Sequence, residues 1–269
     1  TVPLPADHER PKVQTYNGKT VRFKLGDELS EKIIDLTQQN GVTLFMLLLT
    51  SYKILLAKYT NHTDITVGTL IANRVRKETE PLIGYFANTL ALRTNLGGEA
   101  SFVDLLQRVR ATTLEAYDNQ DISFNQVVDL VLPDRDASRT PLFQTAFALN
   151  EFVKQSTATS SSSSPVKLNK LGLDNESSKF DIYLGFFNNS GRLSAYLQYN
   201  TDLFNHETIE NLAQSYLALL QNITASPNQR IGELGLMVGE RPVESKLLEV
   251  REIELVKALY LSDSSPDTK

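Results

Sequence analysis

Cysteine and tryptophan are both absent from this chain of 269 residues. With no thiol there is no disulfide, no thiolate metal site and no cysteine nucleophile. The same absence fits a reducing compartment, and the cytoplasm is the expected location. Histidine is scarce: His8, His62 and His206 stand far apart, with no H-E-x-x-H pair and no His/carboxylate ligand spacing. They read as solvated loop or helix-cap residues, so no metal is expected. Basic residues are not in excess. The net charge is −5 and no Lys/Arg cluster stands out, which argues against a nucleic-acid partner. Long apolar runs are missing too. The strongest, Leu44-Phe45-Met46-Leu47-Leu48-Leu49, is broken by Thr50-Ser51, too short for a bilayer, and reads as a buried helix. Thr1-Val2-Pro3-Leu4-Pro5 carries no secretion signal, so the sequons at Asn61, Asn175, Asn188 and Asn222 are expected to be unmodified. There is no G-x-S-x-G elbow, no Walker loop and no G-x-G-x-x-G.

What is present is an ordinary globular balance, 41% hydrophobic and 22% charged, long enough for one domain or two small lobes. Residues 1–16 hold three prolines and read as an extended arm. Val21, Phe23 and Leu25 alternate with charged residues as in a half-buried strand. Gly26-Asp27 opens a helix with Leu29, Ile33, Ile34 and Leu36 on its apolar face, and Gly41 sits where a cap belongs. Thr43 can cap a helix over 44–59 whose face carries Phe45, Leu48, Leu49, Tyr52, Leu55, Leu56 and Tyr59. A strand through Ile65, Val67, Thr69 and Ile71 leads to a charged loop at 73–81, then to a strand over 89–96. Ser101 starts a helix expected to turn Leu105, Leu106, Val109 and Leu114 inward. A short helix over 123–131 and a strand over 142–150 follow. Residues 155–165 are a low-complexity, flexible loop. Residues 180–187 and 192–199 flank Asn188-Asn189-Ser190-Gly191, a hairpin signature. A long helix carries Ile209, Leu212, Tyr216, Leu219, Leu220 and Ile223. A short segment covers 231–237, residues 243–261 can form one more helix, and residues 262–269 are expected to be disordered. The interleaving predicts an α/β fold, a mixed sheet with packed helices. Asp134, Asp136 and Asp181 could be catalytic carboxylates, but ion pairs or turns are the plainer reading.

Several segments go further. Ile83-Gly84-Tyr85-Phe86-Ala87-Asn88-Thr89-Leu90-Ala91-Leu92-Arg93 resembles the I-G-x-F-x-N-T-L-A-L-R motif of nonribosomal peptide synthetase condensation domains. Asp64-Ile65-Thr66-Val67-Gly68-Thr69 and Asn73-Arg74 fit its lead-in. Asn119-Gln120-Asp121-Ile122-Ser123-Phe124 resembles H/N-Q-D-x-P-F, with Ser123 in the proline's place. The run from Asp134 to Gln144 resembles R-D-x-S-R-x-P-L-F-Q. Lys179-Phe180-Asp181-Ile182 and Tyr199-Asn200-Thr201-Asp202-Leu203-Phe204 fit the same family, and Leu4-Pro5-Ala6-Asp7-His8-Glu9-Arg10-Pro11 is similar to its inter-lobe segment. Epimerisation relatives differ at 85–89.

The resemblance implies one lobe, the C-terminal half, of a chloramphenicol-acetyltransferase-like fold. It divides the chain into an arm at 1–16, a lobe at 17–238 and a tail at 239–269. It implies that Gly84, Phe86, Asn88, Asp121, Asp136 and Arg139 line or shape a substrate tunnel, with Asn88 on the acceptor side. On residue chemistry alone, Gly84 serves close backbone approach or positive φ, Asn88 satisfies backbone groups, and Arg139 pairs with Asp136 or Asp134. The family's H-H-x-x-x-D-G histidine motif is absent, so no residue here is expected to be catalytic. The implied partners are the missing N-terminal lobe and carrier proteins whose phosphopantetheine arms bear the substrates. No cofactor is expected to bind directly. An exposed apolar face is expected to promote self-association. A noncatalytic docking module and a stand-alone acyltransferase acting on coenzyme A thioesters are the alternatives.

Overall fold

The computed structural model describes residues 4–132, 134–151, 176–233, 237–238 and 241–242. The expected flexible loop at 155–165 and the expected tail helix at 243–261 lie outside them. Six strands form one mixed sheet: β1 (Gly18–Lys24), β2 (Asp64–Ile71), β3 (Asn88–Asn95), β4 (Thr145–Glu151), β5 (Ile182–Asn189) and β6 (Arg192–Asn200), in the order β1-β6-β5-β4-β2-β3. The β2–β4 and β4–β5 pairs are parallel and the others antiparallel. β7 (Met237–Val238) and β8 (Arg241–Pro242) make a separate short ribbon.

Among the described residues five α-helices complete the fold: α1 (Asp27–Asn40), α2 (Leu44–Thr60), α3 (Phe102–Asp118), α4 (Phe124–Val131) and α5 (His206–Ala225). Their ends follow local chemistry. Thr43 accepts from the Met46 amide, Ser101 and Ser123 each form a reciprocal capping box, and Gly41 closes α1 at φ 62°. In the β5–β6 hairpin both turn residues, Ser190 and Gly191, take positive φ, and Asn188 Oδ1 accepts from the Gly191 amide. That is the primed geometry whose twist matches the strands.

Register separates the sheet into two faces. One carries Val67, Leu92, Phe147, Leu184, Phe186 and Leu197, all buried in the core with α1, α2, α3 and α5. α2 runs through its centre. Every residue from Met46 to Leu56 is buried, so it is a core helix rather than an amphipathic one. Even Lys53 is enclosed, its ammonium donating to Leu92 O at 2.9 Å and Thr94 Oγ1 at 2.6 Å. Among the described residues no single helix is long and apolar enough to cross a membrane.

Three local expectations need correction. Leu114 is 40% exposed, and Thr113 takes the inward position instead. The buried face of α3 recurs at 102, 105, 106, 109 and 113, and 114 lies about 100° further round. β4 begins at Thr145 rather than 142, because Leu142 adopts φ 66° and breaks the extended run. β5 begins at Ile182 rather than 180. The arm is also firmly attached to the rest of the fold. Leu4 is buried in the core, Asp7 and His8 amides donate to Leu203 O, and Arg10 forms a two-pronged ion pair with the buried Asp181 carboxylate.

Candidate functional site

The other face of the sheet is built from small residues and rings. Gly68, Ala91, Ala146, Ala148 and Gly185 point this way by register. The glycines are needed for space. A Cβ on Gly68 would collide with the Phe143 ring, and one on Gly185 with that of Tyr196. Phe124, Phe143, Phe180, Tyr183, Tyr196 and Phe187 form a continuous ladder across this face, with successive centroids 5.3–6.2 Å apart. Burial, with Tyr196 alongside, holds the Tyr183 hydroxyl well above its usual pKa, so it is neutral. Beside Phe180 opens a cleft of about 490 Å³ lined by Gln14, Tyr16, Thr140, Ser177, Ser178 and Lys179.

Two loops border this face at its β3 end. Asn88, at the start of β3, uses its whole side chain as a bracket. Its amide donates to Gln120 O and Ile122 O, both at 2.8 Å. Its carbonyl accepts from the Thr89 amide at 2.8 Å and the Phe124 amide at 3.2 Å. All four bonds are intramolecular, so Asn88 fastens the 119–124 turn to the sheet. The second loop, 73–86, is arranged around Arg74. Its guanidinium donates to Thr79 O, Glu80 O and Gly84 O and lies 4.3 Å above the Phe86 ring. Gly84 does not take positive φ. The Phe86 ring passes it closely, at 3.1 Å from where a Cβ would sit.

These loops expose apolar side chains. Ile83 is fully exposed, Tyr85 is 86% exposed, and Val75, Leu82 and Ile122 are also open to solvent. On α4, Leu130 is 84% exposed and Val131 is exposed beside it. Asp121 is exposed on the turn that Asn88 holds. Asp136 and Arg139 sit apart, in the segment before β4. Arg139 Nε meets Asp136 Oδ2 at 2.7 Å, while Asp136 Oδ1 accepts from the Ser138 hydroxyl and amide. Those Ser138 bonds first, and Arg139 with them, hold the Asp136 pKa below the usual carboxylate range. The structure thus joins Gly84, Phe86 and Asn88 in one loop system with Asp121 on the adjoining turn, and makes Asp136 and Arg139 a turn-stabilising pair.

No group of His, Asp and Glu among the described residues could hold a metal. A titratable chain, Tyr199 Oη to His206 Nδ1 at 3.0 Å and His206 Nε2 to Glu210 one turn along α5 at 3.4 Å, arises from the core side of the sheet. His8 meets Asn205 and His62 meets Thr60 O.

Comparison with known proteins places this architecture. The condensation domain family matches residues 1–241. Tyrocidine synthase 3 of Brevibacillus parabrevis is 38% identical over 250 residues, 93% of this chain. The match spans only 4% of that synthase. A solved four-domain nonribosomal peptide synthetase, bound to AMP and glycine, is similar with a TM-score of 0.76 and 27% identity, covering 85% of this chain and 18% of that one. The condensation domain of the Monacolin K polyketide synthase shares the fold, with a TM-score of 0.71 at 17% identity, covering 86% of this chain and 55% of that one. The mixed sheet with its packed helices is the chloramphenicol-acetyltransferase-like fold of condensation domains, and this chain belongs to the condensation domain family.

Proposed function

We propose that the chain is the C-terminal lobe of a condensation domain that forms peptide bonds between carrier-bound thioesters in nonribosomal peptide synthesis. The observation that carries this reading is span: 86% of the chain accounts for only 55% of a solved condensation domain. Two features support it. One sheet face bears a ladder of rings, half-buried except for the buried Phe143, with the main helices on the other side, and the loops at its border expose Ile83, Tyr85 and Leu82. Apolar surface of this kind is normally covered by a partner. The sequence holds no H-H-x-x-x-D-G motif, so the proton acceptor that the amine needs comes from the other lobe. In this reading Gly84, Phe86, Asn88 and Asp121 shape the tunnel wall, and Asp136 with Arg139 steadies the segment entering β4. The phosphopantetheine arm enters as the substrate's tether, from a carrier protein in the cytoplasm.

Sedimentation velocity tests the half-domain reading. The chain alone is expected to self-associate as its concentration rises. Adding a histidine-bearing N-terminal condensation lobe, such as one taken from Tyrocidine synthase 3, is expected to give a one-to-one complex with slowed amide exchange at residues 75–85. A chain that stays monomeric at high concentration and ignores the lobe contradicts the reading. A stable complex with a carrier protein, formed without the lobe, supports a docking module instead.

A further inference from the structure

Arg74 makes an unusual set of contacts for a half-buried surface arginine. Its three main-chain acceptors, Thr79 O, Glu80 O and Gly84 O, lie five, six and ten residues ahead, so one side chain gathers the whole loop. Its flat face is occupied as well, by Phe86 at 4.3 Å. Within the loop the local bonds are few. Thr79 N and Oγ1 bond to Arg76 O, the Glu80 amide to Lys77 O and the Leu82 amide to Thr79 O. These close the 3₁₀ turn at Lys77–Thr79, but nothing in them fixes Ile83 to Phe86. Asn73, at φ 51°, reverses the chain just before the arginine.

The consequence is a division of labour between neighbours. Phe86 turns in to lie under the guanidinium, while Ile83 and Tyr85 turn out into solvent. A loop left to hydrophobic collapse would fold those rings and branches onto the sheet. Holding them outward costs solvation free energy, and the planar fork of Arg74 offsets it with directional bonds. Lysine carries the same charge but cannot donate to three carbonyls and stack at once.

We infer that Arg74 is the positioning residue of the domain: it presents Ile83 and Tyr85 to the opposite lobe and so fixes the wall against which the substrates are aligned. This deepens the two-lobe reading and rests on it. All the contacts described for Arg74 are with its own loop. It acts through the loop, which sets the geometry of attack, a quantity to which rate is steeply sensitive.

The test compares wild type with Arg74→Lys and Arg74→Met in two assays. In the first, each isolated chain is treated with trypsin, and cleavage after the exposed Arg76 and Lys77 is followed by mass spectrometry. Both variants are expected to be cut about tenfold faster at these bonds, with unchanged circular dichroism, as local opening without global unfolding requires. In the second, each chain is paired with a histidine-bearing lobe and assayed for dipeptide formation. Both variants are expected to lower kcat by roughly a hundredfold while KM for the carrier-bound acceptor moves by less than about threefold. A merely structural role would lower the yield of active complex and leave its kcat per site unchanged. Unchanged cleavage, or a lysine variant as active as wild type in a working two-lobe pair, overturns the inference and leaves the two-lobe reading standing. A wild-type pair that makes no bond sinks that reading, and the positioning role falls with it.

Discussion

Raising the pH from about 7 to about 10 stabilises the folded chain, and Lys53→Met removes most of that gain. Burial pushes the Lys53 ammonium down to about 7, against only partial support from the Asp64 carboxylate. In the unfolded chain the same lysine titrates near its ordinary value of about 10.4. Between these values the unfolded state binds more protons than the folded one, so stability rises with pH across that window. Below about 7 both states are protonated, and the full cost of enclosing the charge is present. The gain is of order 4 kcal/mol at about 1.4 kcal/mol per pH unit. Above about 10 the trend reverses. Tyr52 and Tyr216 are buried with raised pKa values, so only the unfolded state ionises there. Urea unfolding across this range should therefore show a maximum on the alkaline side. A flat wild-type profile, or the same slope in Lys53→Met, contradicts the assignment.

Arg10→Met is expected to destabilise the chain by about 3–5 kcal/mol, the usual cost of stranding a buried charge. Asp181 is buried and Arg10 largely so, and the guanidinium also donates to Ser138 O at 3.3 Å. The pair joins the arm to the start of β5, where the Asp181 amide bonds Gln144 O and its carbonyl accepts from the Asn200 amide. Removing one partner thus loosens the junction of the arm, β4, β5 and β6. Because the loss comes from an unpaired carboxylate, Arg10→Met combined with Asp181→Leu should recover most of it. Chemical denaturation of the three variants decides the matter. A single substitution within about 1 kcal/mol of wild type would show that the pair is dispensable.

Much of this fold is legible in the sequence because its signals are local. Thr43, Ser101, Gly41 and the Asn188–Gly191 turn each act within a few residues, and each stands where spacing places it. The apolar positions that helical spacing picks out on α5 are likewise all buried. What escapes the sequence depends on distant partners. The enclosure of Lys53 comes from β3, which lies beside α2 only in the folded chain. The partnership of Arg10 with Asp181 spans 171 residues, and no periodicity announces it. Leu114 is apolar and so suggests an inward position, but the helix turns Thr113 inward, where its hydroxyl bonds Val109 O at 2.7 Å. At the candidate site the order of motifs points to the family, and the roles come from geometry. The chemistry of Asn88 suggests a residue that satisfies backbone groups, and all four of its bonds do so. The grip of Arg74 on its loop is set by geometry; in the sequence Asn73-Arg74 stands only as part of a motif's lead-in.

The proposed two-lobe arrangement gives this chain a shaped wall and the opposite lobe the proton acceptor. Its most direct test is dipeptide formation between two loaded carrier proteins, measured with the chain alone, with a histidine-bearing lobe alone, and with both. Product is predicted only in the mixture, and is predicted to vanish when the second histidine of the added lobe's motif is replaced by alanine. Dipeptide formed by this chain alone, above the uncatalysed background, would contradict the claim.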